Sequence, residues 1–164
     1  MNVTDAIRTK RAVRQFTDQP LPDEAIQAIL EAGRRAQSSK NDQPWRFVVV
    51  RDRATLAQLA QCGQYAGHLA GAAMGIALIM QPGYEFDMGQ AAACMQLAAW
   101  ELGIGSCIAS IYEPDKAKAI LGVPSEKEFK VAISFGYPLP QPATGAKKKT
   151  QRAPLDELVH WDRW

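Results

Sequence analysis

Three clusters of charged and polar side chains are the parts of this sequence that could carry chemistry. The first, residues 10–14 (KRAVR), contains Lys10, Arg11 and Arg14. Guanidinium groups bind phosphate oxygens in a fixed fork, and an ammonium group adds a compact positive charge. The cluster therefore predicts a phosphate clamp; the alternative is a solvated basic face that complements the negative C-terminal end of a preceding helix.

The second cluster, residues 38–43 (SSKNDQ), is a polar loop that ends at Pro44. Its hydroxyl and amide groups can donate and accept hydrogen bonds, and loops often carry binding groups; an ordinary polar turn is the alternative. The third cluster, residues 147–149 (KKK) with Arg152, is either an anion contact or a solvated charge run. Together the clusters predict a ligand with a phosphate and a flat polar edge, such as a mononucleotide-like cofactor.

Several familiar kinds of site are not supported by the sequence. There is no GxxxxGK[ST] phosphate loop, and the third glycine of a dinucleotide fingerprint is replaced by Ile108. A Ser/His/Asp triad has no nucleophile elbow on which to rest. Three widely spaced cysteines and two histidines support neither a disulfide framework nor a zinc site, so no metal is expected.

Composition limits the class of protein. The chain has 164 residues, of which 47% are hydrophobic and 22% charged, and its formal net charge is +2. This length corresponds to one domain, and the charge is too small for a general nucleic-acid binder. The most apolar stretch, residues 66–80, contains His68 and is shorter than the ~20 residues of a membrane-spanning helix. With no segment resembling a signal peptide, we expect a cytoplasmic protein.

Apolar periodicity predicts a mixture of helices and strands. Residues 45–50 (WRFVVV) are apolar on both faces and predict a central strand. Residues 87–102 predict a helix with almost no polar face, buried in the core or between subunits. The remaining predictions are helices over residues 2–11, 22–36, 53–62 and 114–121, and strands over 75–80, 106–111 and 129–135.

The C-terminal residues 139–164 predict an extended arm. This segment is rich in proline and lysine, yet it carries apolar side chains at Leu155, Leu158, Val159, Trp161 and Trp164. Burying them, at about 25 cal/mol per Å², requires another surface. That surface is either a second copy of the chain, exchanged reciprocally in a two-fold dimer, or the arm's own subunit.

Five motifs, in order along the chain, resemble those of the FMN-dependent nitroreductase family. The most specific is in residues 36–47 (AQSSKNDQPWRF), which is similar to the family's APSSxNxQPWxF. Residues 9–16 (TKRAVRQF) resemble its RRSxR-x-F opening. Residues 102–107 (LGIGSC), 136–138 (GYP) and 152–161 (RAPLDELVHW) resemble its LGLGTC turn, its GYP and its RxPLxExVHW tail.

The resemblance implies an α+β fold: a three-layer sandwich with a mixed central sheet flanked by helices. It implies one FMN-binding domain over residues 1–164, with a core at 1–138 and an arm at 139–164 that crosses to the partner of a homodimer. FMN would lie at the dimer interface, and no side chain would be catalytic, because a flavin carries the hydride chemistry itself.

The resemblance also implies roles for individual residues. Lys10, Arg11, Ala12 (through its backbone N–H) and Arg14 would hold the phosphate and the pyrimidine side of FMN. Ser38, Ser39, Asn41 and Gln43, from the other subunit, would contact the ribityl chain and the ring edge. Backbone N–H groups of Ala109, Ser110 and Ile111 would face the flavin N5 edge, and Lys149 and Arg152 would reach the phosphate from the arm.

The implied function is a ping-pong oxidoreductase, in which NAD(P)H supplies electrons and an electron-poor acceptor, such as a nitroaromatic or a quinone, takes them. A flavin-binding protein with little turnover is the alternative. Three departures bear on this choice. Ala12 replaces the family's serine, Gln37 replaces its proline, and only residues 82–87 separate the second strand from the long helix, where longer relatives insert helices that roof the active site.

Overall fold

The computed structural model describes residues 1–140 and 152–164. The helices are α1 (Val3–Thr9), α2 (Asp23–Arg34), α3 (Arg53–Ala60), α4 (Glu85–Glu101), α5 (Pro114–Leu121) and α6 (Leu155–Leu158). The strands are β1 (Trp45–Val50), β2 (Met74–Met80), β3 (Gly105–Ser110) and β4 (Glu128–Gly136). Short 3₁₀ turns lie at Ser39–Asn41 and Gly67–Leu69.

The four strands form one sheet in the order β1-β2-β4-β3, and each neighbouring pair is antiparallel. A parallel element is added outside the strands by a bridge between Ala12 and Ser106. The predicted α+β class is confirmed, and within the described residues this bridge supplies the mixed character of the sheet.

Helices cover both faces of the sheet, as a three-layer sandwich requires. One face packs against α2 and α4 around Ile29, Met95 and Phe135, and the other packs against α3 and α5 around Leu56 and Phe129. Gly33 lets α2 approach α4 closely, because a Cβ atom there would lie 2.1 Å from Cε of Met95.

Local signals in the sequence set several helix ends. The side chain of Asn2 accepts a hydrogen bond from the backbone N–H of Asp5 at the start of α1. Pro114 occupies the first turn of α5, and Gly122 ends this helix with a left-handed backbone (φ 65°).

The prediction that residues 45–50 form a central strand is wrong in one respect. The strand has the predicted bounds, but it lies at the edge of the sheet, and among the described residues its one neighbouring strand is β2. Phe47, Val48 and Val49 are only partly buried. A groove of about 440 Å³ lies between β1 and α2, with Leu30, Phe47 and Val49 in its wall. Apolar side chains on both faces of β1 predict that the strand is covered on both sides. The described part of this chain does not cover it fully.

The long helix α4 is buried along one side and exposes apolar residues along another. Ala91, Met95 and Ala99 are fully buried, whereas Phe86 is 81% exposed. Gly89 and Ala93 are exposed as well. The helix therefore contributes to the core and also offers a narrow apolar stripe on the surface.

No helix in residues 1–140 or 152–164 is both long enough and apolar enough to cross a membrane.

Candidate functional site

The N-terminal basic segment lies along the outer edge of β3. The backbone N–H of Val13 donates to the carbonyl oxygen of Ser106 at 2.9 Å, beside the Ala12–Ser106 bridge. Gly105 permits this contact, since a Cβ atom there would lie 2.6 Å from Cβ of Val13. The cations of residues 10–14 are thereby held next to a sheet edge.

Lys10 is fixed through α4. Its Nζ donates to Oε1 of Gln96 at 3.2 Å, and Nε2 of Gln96 donates to Oγ of Ser106 at 3.2 Å. Partial burial lowers the pKa of Lys10. Gln96 is buried, and sequence reasoning missed it, because one glutamine inside an apolar helix carries no motif.

The side chain of Arg11 caps the C-terminal end of helix α1, which ends at Thr9. Its Nη1 donates to the carbonyl oxygens of Arg8 (3.2 Å), Thr9 (2.7 Å) and Lys10 (3.1 Å). This contact is the helix-end role that the sequence left open as the alternative to a phosphate clamp. Nε and Nη2 of Arg11 make no hydrogen bond to the described residues, so part of its fork is available to an anion.

The outer edge of β3 offers backbone N–H groups. The N–H of Ile111 donates to the carbonyl oxygen of Lys130, which places Ile111 and, by the alternation along a strand, Ala109 on the β4 side. The N–H groups of Ile108 and Ser110 therefore point away from β4. Of the predicted residues Ala109, Ser110 and Ile111, it is Ser110 whose backbone faces outward.

A glycine that the sequence reasoning missed lies against this edge. A Cβ atom on Gly63 would be 2.2 Å from the carbonyl oxygen of Ser110. The backbone N–H groups of Tyr112 and Glu113 donate to the carbonyl oxygen of Cys62 at 2.8 and 3.0 Å. The end of β3 is thus held by the segment that follows α3.

The polar loop 38–43 has an unusual backbone. Lys40, Asn41 and Gln43 have left-handed φ values of 49°, 58° and 48°. Non-glycine residues seldom adopt this conformation, and when they do so together they often mark a binding site. Oγ of Ser38 accepts the N–H of Gln43 at 3.1 Å, which closes the loop on itself.

Two side chains at the start of α4 hold this loop from outside. Oδ2 of Asp87 accepts the backbone N–H of Ser39 at 3.1 Å, and the Tyr84 hydroxyl donates to Oδ2 of Asp42 at 3.1 Å. Asp87 is buried. In the sequence both residues look like the ordinary start of a helix, so their contacts could not be read from it.

The two polar clusters are not adjacent within one chain. Residues 10–14 are fastened to Gln96, whereas loop 38–43 is fastened to Asp87. At 1.5 Å per helical residue, these anchor points are about 14 Å apart along α4. A cavity of about 250 Å³ opens between α4 and the sheet, in a wall that includes Gln96 and Ile108.

A buried group of hydrogen-bonded residues lies next to β3, on the face of the sheet that packs against α3. Nδ1 of His68 is 2.8 Å from Oγ of Ser134, which donates to the carbonyl oxygen of Cys107 at 3.3 Å. Nε2 of His68 is buried without a hydrogen-bond partner among the described residues. Burial is the main cause that lowers the pKa of His68; a backbone group of Ile108 opposes this shift, and the nearby charge of Arg14 adds to the lowering.

The remaining predicted residues lie in the arm. Arg152 is exposed, and Lys149 lies outside the described residues. In the part of the chain that the structure describes, no three His, Cys, Asp or Glu side chains are close enough to hold a metal ion.

The donors that are present fit a flat, anionic ligand. They comprise cations beside a sheet edge, outward backbone N–H groups, and a strained loop with exposed polar side chains. Neither the Ser39 hydroxyl nor the Asn41 side-chain amide makes a hydrogen bond to another residue of the described ranges.

Comparison with known proteins covers most of this arrangement. Residues 7–62 and 77–137 match the model of the Nitroreductase family. A relative from Archaeoglobus fulgidus, provisionally named NADH dehydrogenase/NAD(P)H nitroreductase, is 35% identical over 144 residues, which are 80% of this chain and 83% of that protein. The matched ranges contain the basic segment, the strained loop and the edge of β3.

Solved structures agree with the sequence match. An FMN-dependent nitroreductase from Clostridium difficile superposes with a TM-score of 0.85 at 26% identity, over 99% of this chain and 100% of that one. A structure from Bacteroides thetaiotaomicron, provisionally named NADH dehydrogenase/NAD(P)H nitroreductase, gives 0.85 at 27% identity, over 98% and 97% of the two chains.

Proposed function

The chain belongs to the nitroreductase family and has its fold, and we therefore propose that it is an FMN-dependent oxidoreductase. Electrons come from NAD(P)H and pass to an electron-poor acceptor such as a nitroaromatic or a quinone. The names of the relatives support NAD(P)H-dependent oxidoreduction. FMN as the cofactor, a ping-pong order and the class of acceptor are the parts that we add.

One observation carries the proposal. The basic segment 10–14 is bridged to the same edge of β3 from which the backbone N–H groups of Ile108 and Ser110 point outward. This arrangement combines cations for a phosphate with donors for a planar ring edge. When bound, FMN supplies the hydride chemistry, so the protein needs no acid–base side chain.

The chain's own residues would bind and orient the cofactor. The Lys10 amine, which Gln96 fixes at 3.2 Å, would lie at the pyrimidine edge and favour an anionic reduced flavin. Arg11 and Arg14 would contact the phosphate and the pyrimidine side, with Lys149 and Arg152 reaching the phosphate from the arm. The N–H of Ser110 would face N5.

The second cluster would come from the partner of a homodimer. The separation of about 14 Å along α4 between the anchor points supports this, because Ser38, Ser39, Asn41 and Gln43 are remote from Lys10 in one chain. A cofactor that needs both clusters would bind where two chains meet.

The arm would complete the dimer. On a single chain Leu155 is 75% exposed, Leu158 64%, Trp161 84% and Trp164 100%, which argues against an arm packed on its own subunit. The edge of β3 is already bridged at Ser106, so β1 offers the freer edge, beside the groove under α2. We propose that the partner's arm lies there.

The first experiment is a visible absorption spectrum of the purified protein, with FMN measured after denaturation, followed by NAD(P)H consumption with and without a nitroaromatic or quinone. We expect about one FMN per chain and steady consumption that depends on the acceptor. Bound FMN without turnover would favour the flavin-binding alternative. A chain that neither contains nor takes up FMN would contradict the proposal.

A further inference from the structure

The loop 38–43 is held in a costly conformation. Three of its six residues, Lys40, Asn41 and Gln43, have a left-handed backbone without being glycine. Such a backbone persists only when its surroundings impose it.

Contacts inside the loop are short-range. The N–H of Asn41 donates to the carbonyl oxygen of Ser38 at 3.1 Å, and the N–H of Asp42 donates to that of Ser39 at 2.9 Å. With the Ser38–Gln43 bond, these contacts define a turn. They do not fix where the turn lies on the protein.

The contacts that fix its place come from the first turn of α4. Asp87 is only 6% exposed, and its Oδ2 accepts the N–H of Ser39. A carboxylate is favourable there because it lies at the positive end of the helix. The Tyr84 hydroxyl donates to Asp42 at the other end of the turn, and the Asp42 carboxylate raises the pKa of Tyr84.

A short connection brings these two residues to the loop. Only residues 81–84 join β2 to α4, so the helix begins close to the end of the strand. Ser39 is one of the two anchored residues, and Asn41 lies between it and Asp42. Neither the Ser39 hydroxyl nor the Asn41 side-chain amide makes a hydrogen bond to another residue in the described ranges.

We propose that Asp87 and Tyr84 are positioning residues for the flavin: they hold loop 38–43 in the strained backbone that presents Ser39 and Asn41 to the cofactor. This inference rests on the proposed function. It assigns to the start of α4 a role in cofactor affinity that a helix start does not ordinarily have.

The test uses the full-length chain, freed of flavin, in three variants. Tyr84→Phe removes one hydroxyl, Asp87→Ala removes the acceptor, and Asp87→Asn keeps an acceptor oxygen without the charge. Flavin affinity is measured by fluorescence quenching with FMN and, separately, with riboflavin. Amide hydrogen exchange of Ser39 to Asp42 is measured without flavin.

We expect Tyr84→Phe and Asp87→Ala to bind both flavins about five- to tenfold more weakly, by similar factors, because the loop would touch the parts that FMN and riboflavin share. Exchange in the loop should become faster. Asp87→Asn should restore most of the affinity. Leu56→Ala, on the opposite face of the sheet and packed at Gly75 of β2, is the control for general loss of stability and should leave both affinities unchanged.

The outcomes separate the two proposals. A wild-type chain that binds neither flavin overturns the proposed function. Normal flavin binding by wild type and by both Tyr84→Phe and Asp87→Ala overturns the positioning role alone. A loss confined to FMN also overturns it, because that loss would assign the residues to the phosphate.

Discussion

The Arg11 guanidinium has a structural role at the end of α1 and still keeps donors that bond to none of the described residues. Only Nη1 of its guanidinium is used at the end of α1, and a guanidinium has five N–H donors. The two interpretations that the sequence left open are therefore compatible. Helix capping by one nitrogen leaves Nε and Nη2 for a phosphate.

This gives a first prediction. Arg11→Ala should weaken FMN binding about tenfold while leaving riboflavin binding nearly unchanged, because riboflavin has no phosphate. Titration of the flavin-free chain with each ligand checks it, with Arg8→Ala as a control that removes a nearby exposed cation from α1. Equal losses for both flavins would assign Arg11 to the helix end only.

His68 provides a second prediction, on pH. Its pKa is lowered by burial from an ordinary value of 6.5, so the unfolded chain takes up a proton that the native chain resists. The contribution of neutral His68 to the free energy of unfolding is therefore fully present above pH 6.5. It is lost as the pH falls below that value.

Thermal unfolding of the flavin-free protein, measured between about pH 7.5 and pH 5, checks this expectation. His68→Gln should show a smaller decline than wild type. His160→Gln, which removes an exposed histidine of the arm, should keep the full decline. The same decline in His68→Gln as in wild type would mean that other groups cause it.

Among the elements, the contact between the basic segment and β3 depends on a glycine. Gly105→Ala would put a Cβ atom within 2.6 Å of Val13, so the segment has to move away from the strand. We expect a loss of about 2 kcal/mol in the free energy of unfolding and weaker binding of FMN.

Chemical denaturation and flavin titration measure these two effects. Gly71→Ala is the matched control, because a Cβ atom there meets nothing within 4 Å. Unchanged flavin binding in Gly105→Ala would show that the segment need not lie against β3 for the cofactor to bind.

The elements also show how far sequence reasoning reaches. The bounds of β1 and α5 are predicted to the residue, because their ends carry strong local signals: Pro44 before Trp45, Pro114 in the first turn of α5, and Gly122 after it. The edge position of β1 could not be predicted. An apolar strand sequence indicates that the strand becomes buried. It does not indicate whether the same chain or another chain covers it.

For the candidate site, the sequence predicts the residues within each local motif but not the contacts between motifs. Lys10, Gln96 and Ser106 form one hydrogen-bonded chain, yet 86 positions separate Lys10 from Gln96 in the sequence. Asp87 likewise meets Ser39 across 48 positions. Contacts of this kind depend on the packing of α4 against the sheet, which no local pattern encodes.

For the molecule as a whole, the arm and the flavin site should depend on each other. Deleting residues 155–164 removes the exposed apolar side chains of the arm, so we expect monomers that retain little FMN. Light scattering after size-exclusion chromatography measures the mass, and absorbance measures the flavin. The double variant Asp156→Asn/Arg163→Gln, which changes exposed polar side chains of the arm and keeps its apolar ones, is the matched control and should stay dimeric and yellow. A deletion variant that stays dimeric and yellow would contradict the exchanged arm.

Under the proposed function, the four-residue connection between β2 and α4 has a consequence for the choice of acceptor. A long insertion at that point could build a roof that sorts molecules by shape, and so short a link cannot. The enzyme would then select acceptors by their electron affinity rather than by how well their shape fits the site. Across nitroaromatics and quinones of different sizes, the logarithm of the turnover rate should follow one line against reduction potential, as it does for a reagent in solution.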